Sequence, residues 1–198
     1  MQLIQFNENL QTFNPDLLTL GPIKEVKEND VHYYKIPLLY NDLKIRIRLP
    51  KHELHGIYHN RDMETFNLLY PKLYSENNTT EEINFLLWLQ DFETCVKEKL
   101  FAAIKSDNIF KDFNFAPIFR ELKNGGDAMF IKFFPDNGGT LKHLCFDLKG
   151  NKQDINKYCK YGNIGKYIPI VDIPSIYIPG NNDSKSKYKG QIQIFGNS

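Results

Sequence analysis

The run from Val31 to Pro50, VHYYKIPLLYNDLKIRIRLP, constrains the fold of this chain more than any other stretch. Two segments of strand-forming residues flank Asn41-Asp42, a pair that accepts the positive φ of a tight two-residue turn, so the run reads as a β-hairpin. Counted outward from that turn, Tyr40 opposes Leu43, Leu38 opposes Ile45, Ile36 opposes Ile47 and Tyr34 opposes Leu49, which makes one face apolar along its whole length. On the other face Leu39 opposes Lys44, Pro37 opposes Arg46 and Lys35 opposes Arg48, with Tyr33 beyond them. A one-residue slip would mix the two faces, so the pattern itself selects the register. Pro37 has no N–H to give to a ladder, which predicts that the first strand lies at an edge or bulges there. Lys35 and Arg48 directly opposite each other would repel, and an anionic ligand would offset that repulsion.

The basic face has two readings. A solvated sheet surface carries Lys and Arg, and edge strands use Lys against aggregation. Against this, the hairpin places no carboxylate on that face and adds the ring of Tyr33. Basic strands with exposed aromatic rings suit single-stranded nucleic acid, whose phosphates take the charge and whose unpaired bases stack at roughly 1–3 kcal/mol each.

Composition bounds the rest. A chain of 198 residues, 41% hydrophobic and 14% aromatic, is rich enough to fold and is expected to form a single domain over 1–198. No apolar run approaches the ~20 residues of a membrane-spanning helix. The start, MQLIQFNENLQTF, shows neither a basic leader nor a long apolar core, so an intracellular, non-secreted protein is expected. Cys95, Cys145 and Cys159 are odd in number and widely spaced, which argues for reduced thiols. Net charge is only +1, but it is segregated. Five Lys/Arg stand against Asp42 and Glu53 between Val31 and Asn60, while Glu81, Glu82, Asp91, Glu93 and Glu98 collect in the long helical segment.

Along the chain, Pro22 to Lys27 reads as a short strand and Thr65 to Tyr70 as another. Asn78 or Thr79 can cap a helix from about 80 to 105, with Glu81 or Glu82 in capping-box spacing and Phe85, Leu89, Phe92, Val96 and Leu100 at intervals of three to four residues. Trp88 is expected to pack as a structural residue. Asp107 to Lys123 carries little pattern. Ala128 to Phe134 and Leu141 to Asp147 read as a second hairpin around the turn-forming Pro135 to Gly139. Short strands follow at Lys166 to Val171, Ser175 to Ile178 and Tyr188 to Phe195, the last with Lys187, Lys189, Gln191 and Gln193 on one face. Many short antiparallel strands with one long helix inserted between strand groups predict a mainly β (α+β) fold, a partly open barrel.

Catalytic signatures are missing. His52, His55 and His59 lack the spacing of a metalloprotease helix motif, and Gly162 to Lys166 lacks both the spacing and the following Ser or Thr of a phosphate loop. Ser175 and the cysteines have no adjacent base in a recognisable arrangement. The expectation is a non-enzymatic protein without metal or cofactor.

The segment YYKIPLLYND, the strand ending RLPK and the Gly56-Ile57 pair that follows resemble the small single-stranded-DNA-binding proteins of large eukaryotic DNA viruses, themselves similar to those of short-tailed phages. FNLLY, FLLWLQDFETCVKEKLF, AMFIKFF, PSIYI and YKGQIQIF follow in the same order over nearly the whole chain. The resemblance implies an oligonucleotide-binding (OB-like) barrel and roles in viral DNA replication and recombination. Where the final strand pair of such proteins would carry a Trp, this chain has Tyr177 and Tyr188, and its last residues hold no acidic run. The expected site is therefore Lys35, Lys44, Arg46 and Arg48 on phosphates with Tyr33 stacking, extended by Lys166, Tyr177, Lys187, Tyr188 and Lys189. Single-stranded DNA is the expected partner, with viral replication proteins and a second copy of the chain as further candidates. The alternative is a viral structural or scaffold protein acting through protein contacts at a strand edge.

Overall fold

The computed structural model describes residues 2–5, 12–28, 31–61, 64–72, 78–105, 113–123, 125–147, 149–159, 162, 164–180 and 189–196. In chain order these form β1 (Gln2–Gln5), β2 (Leu18–Leu20), β3 (Lys24–Glu28), β4 (Val31–Tyr40), β5 (Leu43–Arg48), β6 (His52–Leu54), β7 (Ile57–Asn60) and β8 (Thr65–Pro71). After the helix α1 (Thr80–Ile104) come β9 (Asn114–Ala116), β10 (Phe119–Glu121), β11 (Asp127–Phe133), β12 (Cys145–Phe146) and β13 (Lys152–Gln153). The chain then adds β14 (Gly165–Tyr167), β15 (Ile170–Ile173), β16 (Ser175–Pro179), β17 (Lys189–Ile192) and β18 (Phe195–Gly196). The fold is mainly β with one long helix, as expected, and no described helix is long and apolar enough to cross a membrane.

The turn of the first hairpin is the one its sequence demands. Asn41 and Asp42 sit at φ 52° and 57°, and Tyr40 pairs with Leu43. Leu43, at the turn, is exposed, but most of the hairpin's apolar face is in the core, with Ile36, Leu38, Ile45, Ile47 and Leu49 all buried. Each such side chain contributes about 1.5–3 kcal/mol on leaving water.

The register beyond the turn differs from the expected one. β4 and β5 stay paired only at Tyr40–Leu43 and Leu39–Lys44 and then diverge. The strand that runs from β15 into β16 enters between them, pairing with β5 through Ile170–Ile173 and with β4 through Ser175–Pro179, and it changes partner at Pro174. Pro37 therefore opposes Ser175 rather than Arg46, and Lys35 opposes Tyr177 rather than Arg48. Strands that switch partners in this way turn a sheet through a corner.

Nor is β4 an edge. β16 flanks it on one side, and β2 and β3 flank it on the other. Pro37 is accommodated because it lies opposite the break between β2 and β3, where its carbonyl accepts from Gly21 N at 2.9 Å and no ladder N–H is required.

The large sheet runs β7-β8-β11-β18-β15-β5-β4-β16-β17-β9, with β1, β2, β3 and β10 attached beside it. Its end strands do not meet, so it is open. A second hairpin from Ala128 to Asp147 does not form. β11 is already paired with β8 on one side and with β10 and β18 on the other, while Cys145–Phe146 pairs with Lys152–Gln153 in a separate ribbon.

The helix begins at a reciprocal capping box. Thr79 Oγ1 accepts from Glu82 N at 3.2 Å, and Thr79 N donates to Glu82 Oε2 at 2.7 Å. Its stripe, Phe85, Leu89, Phe92, Val96 and Leu100, is buried. Trp88 packs as expected, stacked on Phe92 with ring centroids 5.2 Å apart and edge-on to Tyr40 and Phe13.

Candidate functional site

Alternation along β5 places Arg46 and Arg48 on the face away from the core, but both are neutralised there. Arg46 donates through Nε to Asp172 Oδ1 at 2.6 Å and through Nη2 to Asp172 Oδ2 at 2.8 Å, and this bond raises its pKa above the ordinary value. Asp172 stands directly across the ladder from Arg46. Arg48 donates from Nη1 to Glu81 Oε1, in the first turn of α1, at 2.9 Å. The two arginines expected to hold phosphates thus hold carboxylates, and the loss of the Lys35–Arg48 juxtaposition removes the repulsion that an anion was expected to offset.

The remaining expected residues separate. Lys44 is exposed beside the turn. Lys166 is exposed opposite Glu53, in the two-stranded sheet of β6 and β14, apart from the large sheet. Lys187 and Tyr188 lie outside the described residues.

Lys35, Tyr33, Tyr177 and Lys189 fall on one continuous surface. Lys24, Lys35, Tyr177 and Gln191 are successive cross-strand partners over β3, β4, β16 and β17, so they form one row across the sheet. One step along, Tyr33 lies between Val26 and Pro179, and its ring meets that of Tyr177 with centroids 5.1 Å apart, tilted by 36°. Tyr177 is half-buried, and that burial raises its pKa. Lys189 and Gln191 alternate with buried Gly190 and Ile192, which puts both on this face. Lys24, Lys35 and Lys189 are exposed and form no ion pair among the described residues.

Two cations that the sequence reading missed lie beside Gln191, at the end of this row. Arg120, on β10, donates from Nη2 to Gln191 Oε1 at 2.7 Å, and Lys132, on β11, stands in register with Asn67 on β8 and Phe195 on β18. Phe195 is half-buried and meets the exposed ring of Phe134 edge-on at 5.2 Å. A sequence signal for Lys132 existed, since it is the single cation in the apolar run AMFIKFF. Nothing comparable marks Arg120, because its neighbour Gln191 is 71 residues away.

Among the described residues no group of three or more His, Cys, Asp or Glu is arranged to hold a metal ion. His52 Nδ1 lies 3.6 Å from Glu82 Oε1, and His59 stacks on Phe66, so the histidine cluster is dispersed over two strands and their neighbours. Comparison with protein-family models, with curated proteins and with solved structures finds no match.

Proposed function

We propose that this protein binds single-stranded DNA without catalysis and with little regard to sequence, along the row Lys24–Lys35–Tyr177–Gln191 and the ring of Tyr33. The supporting observation is a sheet face whose exposed lysines have no carboxylate partners among the described residues and flank a tyrosine pair. Phosphates would take the ammonium groups of Lys24, Lys35 and Lys189, and a base would stack on Tyr33 or Tyr177. Arg46 and Arg48 are structural in this reading. The bent, open sheet would be an OB-like barrel variant, coating exposed strands during viral DNA replication, recombination or repair inside the host cell, alongside replication proteins.

Fluorescence titration with oligonucleotides of varied sequence at two salt concentrations tests the reading. Affinity falls steeply with salt, because each neutralised phosphate releases counterion. The Lys24→Glu/Lys35→Glu double variant binds at least about tenfold more weakly, whereas Lys166→Glu, in the small sheet, does not. Binding that is absent, or indifferent to the double variant, sinks the proposal.

A structural or scaffold role is favoured instead by Ile83, Leu87 and Phe101, large apolar side chains exposed on α1. Concentration-dependent assembly in light scattering without nucleic acid, abolished by Leu87→Glu, would establish that role in its place.

A further inference from the structure

A cavity of about 240 Å³ opens beside the row, where β8, β10, β11 and the β17–β18 strand converge. Its polar lining is Arg120, Lys132, Asn60, Asn67, Gln191 and Gln193, two cations and four carboxamides with no carboxylate. In the Lys132 register row the acid is Asp172, but Phe195 stands between them and Asp172 is held by Arg46. Arg120 spends one N–H on Gln191, while its Nε is buried with no hydrogen-bond partner. Leaving a buried donor unsatisfied and bringing two desolvated cations together both cost free energy unless something anionic arrives. Burial lowers the pKa of Arg120 and of Lys132, and the charge of Arg120 lowers that of Lys132 further.

We propose that this cavity binds a phosphate group with three free oxygens, as inorganic phosphate or as a terminal phosphomonoester. Arg120 presents a planar fork of donors, Lys132 a compact ammonium, and the carboxamides can donate to the remaining oxygens. A carboxylate has two oxygens and one charge, whereas a phosphomonoester brings three terminal oxygens and a charge between −1.5 and −2 at pH 7, matching two cations. The volume is below the roughly 300–1,000 Å³ of pockets that enclose drug-sized ligands, so the cavity takes the phosphoryl group and little of what carries it. That group can come from free inorganic phosphate or from the terminal phosphate of a nucleic-acid strand. The site stands on its own geometry and does not rest on DNA binding by the lysine row.

The test uses the full chain and two probes. Inorganic phosphate raises the thermal midpoint above that in chloride of equal ionic strength, and Lys132→Gln and Arg120→Gln each weaken phosphate binding about tenfold or more. Lys24→Glu/Lys35→Glu leaves this effect intact, which separates the cavity from the sheet face. A 5′-phosphorylated oligonucleotide that binds more tightly than its 5′-hydroxyl counterpart, with the difference erased by Lys132→Gln, assigns the phosphate to a strand end; no difference assigns it to the free anion. Without phosphate, Lys132→Met has an unchanged or higher midpoint, since it removes a desolvated charge beside Arg120. No phosphate-specific shift with either probe overturns the proposal, as does a Lys132→Met midpoint that falls while the phosphate shift persists.

Discussion

Arg46 shows how little a single residue discloses about its own role. Its alternation with Ile45 and Ile47 dictates that it points away from the core, but the carboxylate it meets is 126 residues distant in the chain. The pair is bidentate and mostly shielded, with side-chain exposures of 19% and 29%, so it falls between a surface bridge and a buried one. Asp172→Asn keeps the shape and loses the charge-assisted bonds, and urea denaturation is expected to show a loss of roughly 1–3 kcal/mol. Combining it with Arg46→Met should cost less than the sum of the single changes, because the arginine is no longer left without its partner. An additive result would mean that the two side chains do not act as a pair.

Elements were legible in proportion to how local their determinants are. The helix was readable at its start and along its stripe because its capping box acts over three residues and the apolar stripe over three to four. Thr79→Ala removes the acceptor for Glu82 N and should destabilise the protein by about 0.5–2 kcal/mol in thermal or urea unfolding, with Thr79→Ser restoring most of it. The hairpin turn was readable for the same reason, since Asn41 and Asp42 need only their own φ. Pro37 misled because a missing N–H signals a gap in a ladder without saying whether the gap is a sheet edge or a break between two short strands. The segment Leu141 to Asp147 misled differently. Asp136 closes its own loop, with Oδ1 accepting from Gly138 N and Thr140 N at 3.0 Å, but a tight loop does not make the flanking segments partners when β11 has none to spare.

For the molecule as a whole, acid stability should depend on a half-buried imidazole. His143 is half-buried, its ring edge-on to Phe133 at 5.0 Å and its Nδ1 without a hydrogen-bond partner, and burial lowers its pKa below 6.5. The unfolded chain then binds this proton more readily than the folded one, so stability present above pH 6.5 is lost as pH falls through that value. Glu93 acts in the opposite sense. Burial raises its pKa above 4.5, so the folded state holds the proton and gains from acidification. Chemical denaturation from pH 7 to 5 should therefore show the wild type losing stability relative to His143→Gln, the Glu93 contribution being common to both; parallel profiles would contradict this.

The division between chain and fold follows the same scale. Sequence alone determined that Ile36, Leu38, Ile45, Ile47 and Leu49 of the hairpin enter the core, where the helix starts and that Trp88 packs against its surroundings, because periodicity and capping are properties of neighbours. It also placed Tyr33, Lys35 and Lys189 on polar faces of their strands, while Tyr177 was singled out by the family resemblance alone. Tertiary structure decided what stands beside those faces: carboxylates against Arg46 and Arg48, a tyrosine pair and Lys24 beside Lys35, and Arg120 with Lys132 around one cavity. The reason is that strand order and partner switching bring together residues separated by scores to more than a hundred positions, and no local preference records which strand will enter between which.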